Sequence, residues 1–115
     1  MKDITNGDRA VMKKKKSVYN LAKDVTREQN VKLNEHLRDG IRSGIYKLVS
    51  PPNGGYLRVE LQHLNSIYIE YKPSLKLKII TATGEKGIEI GKQFLGNTLG
   101  HNDRNQHIWK CEDTD

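Results

Sequence analysis

A chain of 115 residues, 35% hydrophobic and 30% charged, has room for one small core, and its formal charge of +6 favours polyanions such as nucleic acid, acidic proteins or anionic lipid. Its one cysteine, Cys111, excludes an internal disulfide framework, and no run of about 18 apolar residues offers a membrane span. An apolar leader is also lacking at the N-terminus, so the expectation is a cytoplasmic protein with no membrane partner. The charge is uneven. Residues 1–44 hold 11 Lys/Arg against 6 Asp/Glu, a net +5, and residues 45–115 hold 9 against 8, a net +1.

In chain order, residues 1–8 carry no periodic pattern and read as a flexible start, with Asn6-Gly7 as a turn signal. Residues 9–41 read as a helical basic region. Val18, Leu21, Ala22 and Val25 recur at helical spacing behind the run Lys13, Lys14, Lys15 and Lys16. Thr26 with Gln29 has the form of a capping box, and Leu33, Leu37 and Ile41 supply one buried stripe. Gly40 reads as a C-terminal stop. Two helices, over about 10–24 and 27–39, or one kinked helix, satisfy this pattern.

Residues 45–83 read as an antiparallel meander of four strands. The first covers 45–49 and ends in a Pro/Asn/Gly turn cluster. Leu57, Val59 and Leu61 alternate with Arg58, Glu60 and Gln62 in the second, and Asn65-Ser66 is the turn expected after it. Ile67, Ile69 and Tyr71 alternate with Tyr68, Glu70 and Lys72, and Leu75, Leu77 and Ile79 with Lys76 and Lys78. This parity places Arg58, Tyr68, Lys76 and Lys78 together on one polar face. Residues 84–111 form a glycine-rich segment, read as loop with a short strand or helix over 88–95, and a last strand over 107–111. Either Ile108 or Trp109 points inward there. Residues 112–115 are an acidic tail. The whole is expected to be a single domain over 1–115 with an α+β fold. Its N-terminal helices would pack on a four- to five-stranded, mostly antiparallel sheet, with the glycine-rich C-terminal segment following.

Motifs narrow the chemistry. Gly91-Lys92 lacks the following Ser or Thr and the upstream spacing of a phosphate loop, and no dinucleotide fingerprint is present, so no cofactor is expected. His36 and His63 read as boundary or surface residues, and Cys111 as a small buried hydrophobe. His101, Asp103, Arg104 and His107 are the only dense group of acid–base types. His101, Arg104 and His107 are therefore the catalytic candidates, without a metal, for cleaving RNA. Two histidines and one aspartate are too few to specify a metal site.

The basic candidates for nucleic-acid contact are Arg9, Lys13, Lys14, Lys15, Lys16 and Lys23 in the helical region. Arg58, Tyr68, Lys76 and Lys78 are their counterparts on the sheet. Two helices followed by a meander with the strings Ile45-Tyr46-Lys47-Leu48 and Tyr68-Ile69-Glu70-Tyr71 resemble the small bacterial toxins of the RelE/ParE type over residues 10–83. That family's leading strand has no counterpart in this pattern, the glycine-rich C-terminal third of this chain does not match the family, and no catalytic residue carries across. The leading expectation is a small basic binding or regulatory protein whose partner is nucleic acid (RNA or DNA) or an acidic protein. The alternatives are a metal-independent ribonuclease of toxin type and a protein-interaction module or inhibitor, possibly phage-encoded.

Overall fold

Thr26 opens a helix by the mechanism its sequence suggests. Its hydroxyl accepts the Gln29 N–H at 3.1 Å, and the Gln29 side-chain oxygen accepts the Thr26 N–H at 2.8 Å, so two otherwise orphaned donors are satisfied. In the computed structural model, which describes residues 22–50, 55–98 and 100–112, this helix is α1 (Arg27–Arg42). A two-residue strand, β1 (Lys23–Asp24), precedes it. After it come β2 (Lys47–Leu48), β3 (Tyr56–Glu60), β4 (Ser66–Lys72), a 3₁₀ turn (Pro73–Leu75), β5 (Leu77–Thr83), α2 (Gly84–Leu95) and β6 (His107–Glu112). They form one six-stranded sheet in the order β1-β6-β5-β4-β3-β2, with β1 parallel to β6 and every other pair antiparallel.

The α+β class stands, with three corrections. The sheet has six strands and is mixed. Its second helix follows the meander, so the helices are not both N-terminal. Residues 84–95 are that helix, which agrees with the helix alternative read for 88–95 and starts four residues earlier, where glycine suggested a loop. The proposed first helix over 10–24 falls largely outside the described residues, but its end, 22–24, is extended. Ala22 and Val25, read as one helical stripe, instead join two different apolar clusters.

Both helices lie on one face of the sheet. Leu33 and Leu37 of α1 and Ile90 and Leu95 of α2 meet Val59, Ile67, Ile80, Ala82 and Trp109 in the main core. Trp109 is the inward residue of β6, fully buried, with its indole N–H donating to the Gly96 carbonyl at 2.8 Å. Glycines permit this closeness. A Cβ at Gly91 would meet the Trp109 ring carbons Cζ3 at 2.8 Å and Cζ2 at 3.2 Å, and one at Gly87 would meet the Ser66 carbonyl at 2.7 Å. Gly40 serves α1 in the same way, against the ring of Tyr46, instead of ending the helix. The stop comes later, at Ser43, whose N–H donates to the Asp39 carbonyl.

α2 is capped from a distance. Thr83, its first flanking residue, makes no side-chain cap, and the Asn65 side chain accepts the Lys86 N–H at 3.0 Å. Asn65 stands just after the β3–β4 turn, whose central residues are His63 and Leu64 with φ of 49° and 55°. The turn therefore lies before Asn65, not at Asn65-Ser66. Two consecutive left-handed residues match the right-handed twist of the flanking strands, at a steric cost for residues with a Cβ.

Candidate nucleic-acid interface

The other face of the sheet has no described helix packed on it. Cross-strand pairing orders its side chains into rows. One row runs Ile108, Thr81, Tyr68, Arg58 from β6 to β3, and the row beyond it runs Thr83, Ser66, Glu60. On the other side lies Lys110, Ile79, Glu70, Tyr56. Tyr56 and Tyr68 are diagonal neighbours, and their rings sit 4.7 Å apart at an interplanar angle of 34°. Towards the β1 edge the face is apolar, where Ala22, Ile79 and Ile108 bury one another and Leu77 packs against them.

A third element reaches this face. The loop before β6 is tied by Asn102, whose side-chain oxygen accepts the Arg104 N–H at 3.0 Å and the Gln106 N–H at 2.9 Å. Gln106 in turn donates to the Thr83 hydroxyl at 3.1 Å, which fastens the loop to β5. The result is an open groove of about 470 Å³ lined by Arg58, Leu64, Ser66, Tyr68, Thr81, Thr83, Arg104 and Gln106. Two exposed guanidinium-bearing residues, an aromatic ring and several hydroxyl and amide groups share it. No carboxylate is among the described residues that line it. Glu60 and Glu70 share the face, and Glu70 is paired with Lys72 at 3.5 Å. Burial first, then the charges of Glu70 and the neighbouring Tyr56, push the Tyr68 phenol above its ordinary range against the opposing pull of Lys72, so its O–H remains a donor at neutral pH.

The sequence-derived candidates separate accordingly. Arg58 and Tyr68 are direct cross-strand partners on the open face. Lys78 is on the opposite face, in the row of Tyr71 and Cys111, and Lys76 is in a left-handed position (φ 49°) after the 3₁₀ turn, so neither belongs to the Arg58/Tyr68 surface. The parity read for this strand is therefore reversed. It is Ile80 and Ala82 that join the main core, while Leu77 and Ile79 lie across from Lys72 and Glu70. Lys23 is in β1, not in a helix, with its Nζ beside Gly96. Arg9, Lys13, Lys14, Lys15 and Lys16 lie outside the described residues.

The acid–base trio divides between the two faces. Arg104 lines the open groove, and neither His101 nor His107 does. His107 pairs with Ala82 in β6 and shares its side of the strand with Trp109, 6.3 Å away between ring centres. The Thr98 hydroxyl donates to the Gly100 carbonyl at 2.7 Å and so accepts the Nδ1–H of His107 at 2.8 Å. Burial, with Lys92 and His101 adding to it, holds the His107 imidazole below its ordinary range and thus neutral at pH 7. The His101 ring is 6.0 Å from it.

His36, half-buried, bonds the Tyr46 hydroxyl at 2.9 Å, His63 is the exposed turn residue, and Cys111 is buried. Among the described residues no group of three or more His, Cys, Asp or Glu is arranged to hold a metal ion, and no helix is long and apolar enough to cross a membrane. The two contributions that sequence reasoning missed are those of Tyr56 and Gln106. The diagonal position of Tyr56 to Tyr68 follows once the strand register is known. No family model, curated protein or solved structure matches this chain.

Proposed function

We propose that the protein binds single-stranded nucleic acid on the open face of its sheet. The observation that carries this reading is the convergence of the Tyr56/Tyr68 ring pair with Arg58 and with Arg104 from a separate loop. A splayed strand needs a flat π surface for its bases and cations for its phosphates, and hydroxyl and amide groups beside them accept or donate to base edges. A duplex has no unstacked base to offer the tyrosines, so the reading favours single strands. The basic N-terminal third, with Arg9 and the four consecutive lysines, supplies the long-range attraction that brings a polyanion to the face. Acid–base cleavage has less support, because the arginine of the trio and its histidines line different surfaces.

The test is fluorescence anisotropy of a labelled oligouridylate or oligodeoxythymidylate at low salt. Stacking contributes about 1–3 kcal/mol per base, so Tyr68→Ala weakens binding at least about fivefold while Tyr68→Phe stays within about twofold of wild type. Arg58→Ala lowers the slope of log affinity against log salt by about 0.7, the share of one phosphate contact. Glu60→Gln, which removes a carboxylate from the same face, tightens binding, a gain that damage to the fold does not produce. Wild-type affinity in both Tyr68→Ala and Arg58→Ala would refute the assignment.

A further inference from the structure

On the helix side, between α1 and the β2–β4 end of the sheet, a cleft of about 430 Å³ is walled by Leu37, Ile41, Leu48, Leu57 and Ile69. That is the size of a small-molecule pocket, and the walls are apolar. Two cations stand in this apolar lining, Arg38 from α1 and Lys78 from β5. Lys78 is the less exposed of the two. It is half-buried in the row that otherwise faces the helices, one alternation before Ile80 and Ala82, and across from Cys111. Its aliphatic stem lies along the apolar wall and leaves the ammonium at the rim, where it can meet an anion. Neither Lys78 nor Arg38 forms an ion pair with any described residue, and no carboxylate is among the described residues lining the cleft. The exposed Leu48 edge leaves the cleft open to solvent.

We propose that this cleft binds a small amphiphilic carboxylate, with the aliphatic body against Leu37, Ile41 and Ile69 and the carboxylate between Arg38 and Lys78. The carboxylate supplies the counter-charge that the two cations lack among the described residues, and apolar walls beside them select an alkyl chain over a compact anion. The cleft is on the helix side of the sheet, away from the Arg58/Arg104 groove, and shares with the proposed nucleic-acid surface only Tyr56.

The experiment is a ¹⁵N–¹H NMR titration of the full chain with decanoate below its aggregation concentration, with 1-decanol and decyltrimethylammonium as neutral and cationic comparisons. Decanoate is expected to saturate shifts at Arg38, Ile41, Leu57 and Lys78 and to bind at least about tenfold more tightly than either comparison, since hydrogen bonds to charged groups are the stronger kind. Lys78→Met and Arg38→Met keep the side-chain stems, and each is expected to weaken decanoate about tenfold without altering the affinity for decanol. The spectrum of each variant reports that it is folded. Equal binding of decanoate and decanol, no saturable shift at these positions, or unchanged decanoate affinity in folded Lys78→Met would overturn the proposal. Tighter binding by a peptide ending in Leu-Ile, whose terminal carboxylate adjoins apolar side chains, would also overturn it by assigning the cleft to a chain end.

Discussion

Gly91→Ala tests the packing of α2 on the sheet more sharply than any large-to-small change in the core. In an exposed helix, replacing glycine with alanine stabilises by about 1 kcal/mol. Here the added Cβ would be 2.8 Å from Cζ3 and 3.2 Å from Cζ2 of Trp109, nearer than real side chains pack. That ring is fully buried and tied to Gly96 through its N–H, so it has nowhere to swing. Overpacking of this kind costs about 1–3 kcal/mol, which cancels the helix-propensity gain and leaves a net loss of up to about 2 kcal/mol. Trp109→Phe alone loses the indole bond and part of the ring, for about 2–3 kcal/mol. The smaller ring vacates the space the methyl group needs, so the double variant is expected to be less destabilised than the sum by at least about 1 kcal/mol. Urea unfolding followed by far-ultraviolet circular dichroism gives all four stabilities without relying on tryptophan emission. A Gly91→Ala protein more stable than wild type, or two effects that simply add, would refute the close contact.

Three further outcomes follow from local geometry. Asn65→Ala leaves the Lys86 N–H at the start of α2 without its acceptor and is expected to cost about 1–2 kcal/mol in urea unfolding, with Asn65→Asp costing less. Replacing His63-Leu64 by Asn-Gly relieves two left-handed residues in the β3–β4 turn and is expected to raise stability by about 1 kcal/mol, seen as a higher unfolding midpoint. His107 has a folded pKa below its unfolded value of about 6.5, so the unfolded chain takes up more protons as pH falls. Its contribution to stability is therefore present above about pH 6.5 and lost as pH drops through the folded pKa. The urea midpoint is expected to fall from pH 7.5 to 5.5 by more in wild type than in His107→Gln, and equal falls would contradict the assignment.

The parts of the fold written in local chemistry were legible. Thr26 and Gln29 announce their helix through the capping box. The alternation in 57–61 and 67–71 sets β3, β4 and their shared face, which is why Arg58 and Tyr68 were found together. β5 misled because its open-face residues Leu77 and Ile79 are themselves apolar, buried with Ala22 and Ile108, so hydrophobicity marks both faces. Its second half resolves the parity, since Ile80 and Ala82 alternate with Thr81 and Thr83. α2 is legible in part, as the helix alternative over 88–95, and composition hides its first turn. Gly84, Gly87 and Gly91 looked like loop glycines, yet their i, i+3, i+7 spacing is a helix face, shaped for Asn65, the Ser66 backbone and Trp109. Of the site, Arg104 was singled out for the wrong company. Proximity in sequence joined it to His107, but the loop carries Arg104 to the open groove while strand alternation turns His107 the other way. Only the tertiary fold brings it to Arg58.

The most direct measurement for the central claim is an amide and arginine Nε shift map of the full chain on titration with oligouridylate. Saturating shifts along β3, β4 and β5 at Arg58, Tyr68 and Thr81, together with the Nε of Arg104, are the predicted result. Shifts confined to residues 9–16 or to the helices, with the sheet unperturbed, would contradict it.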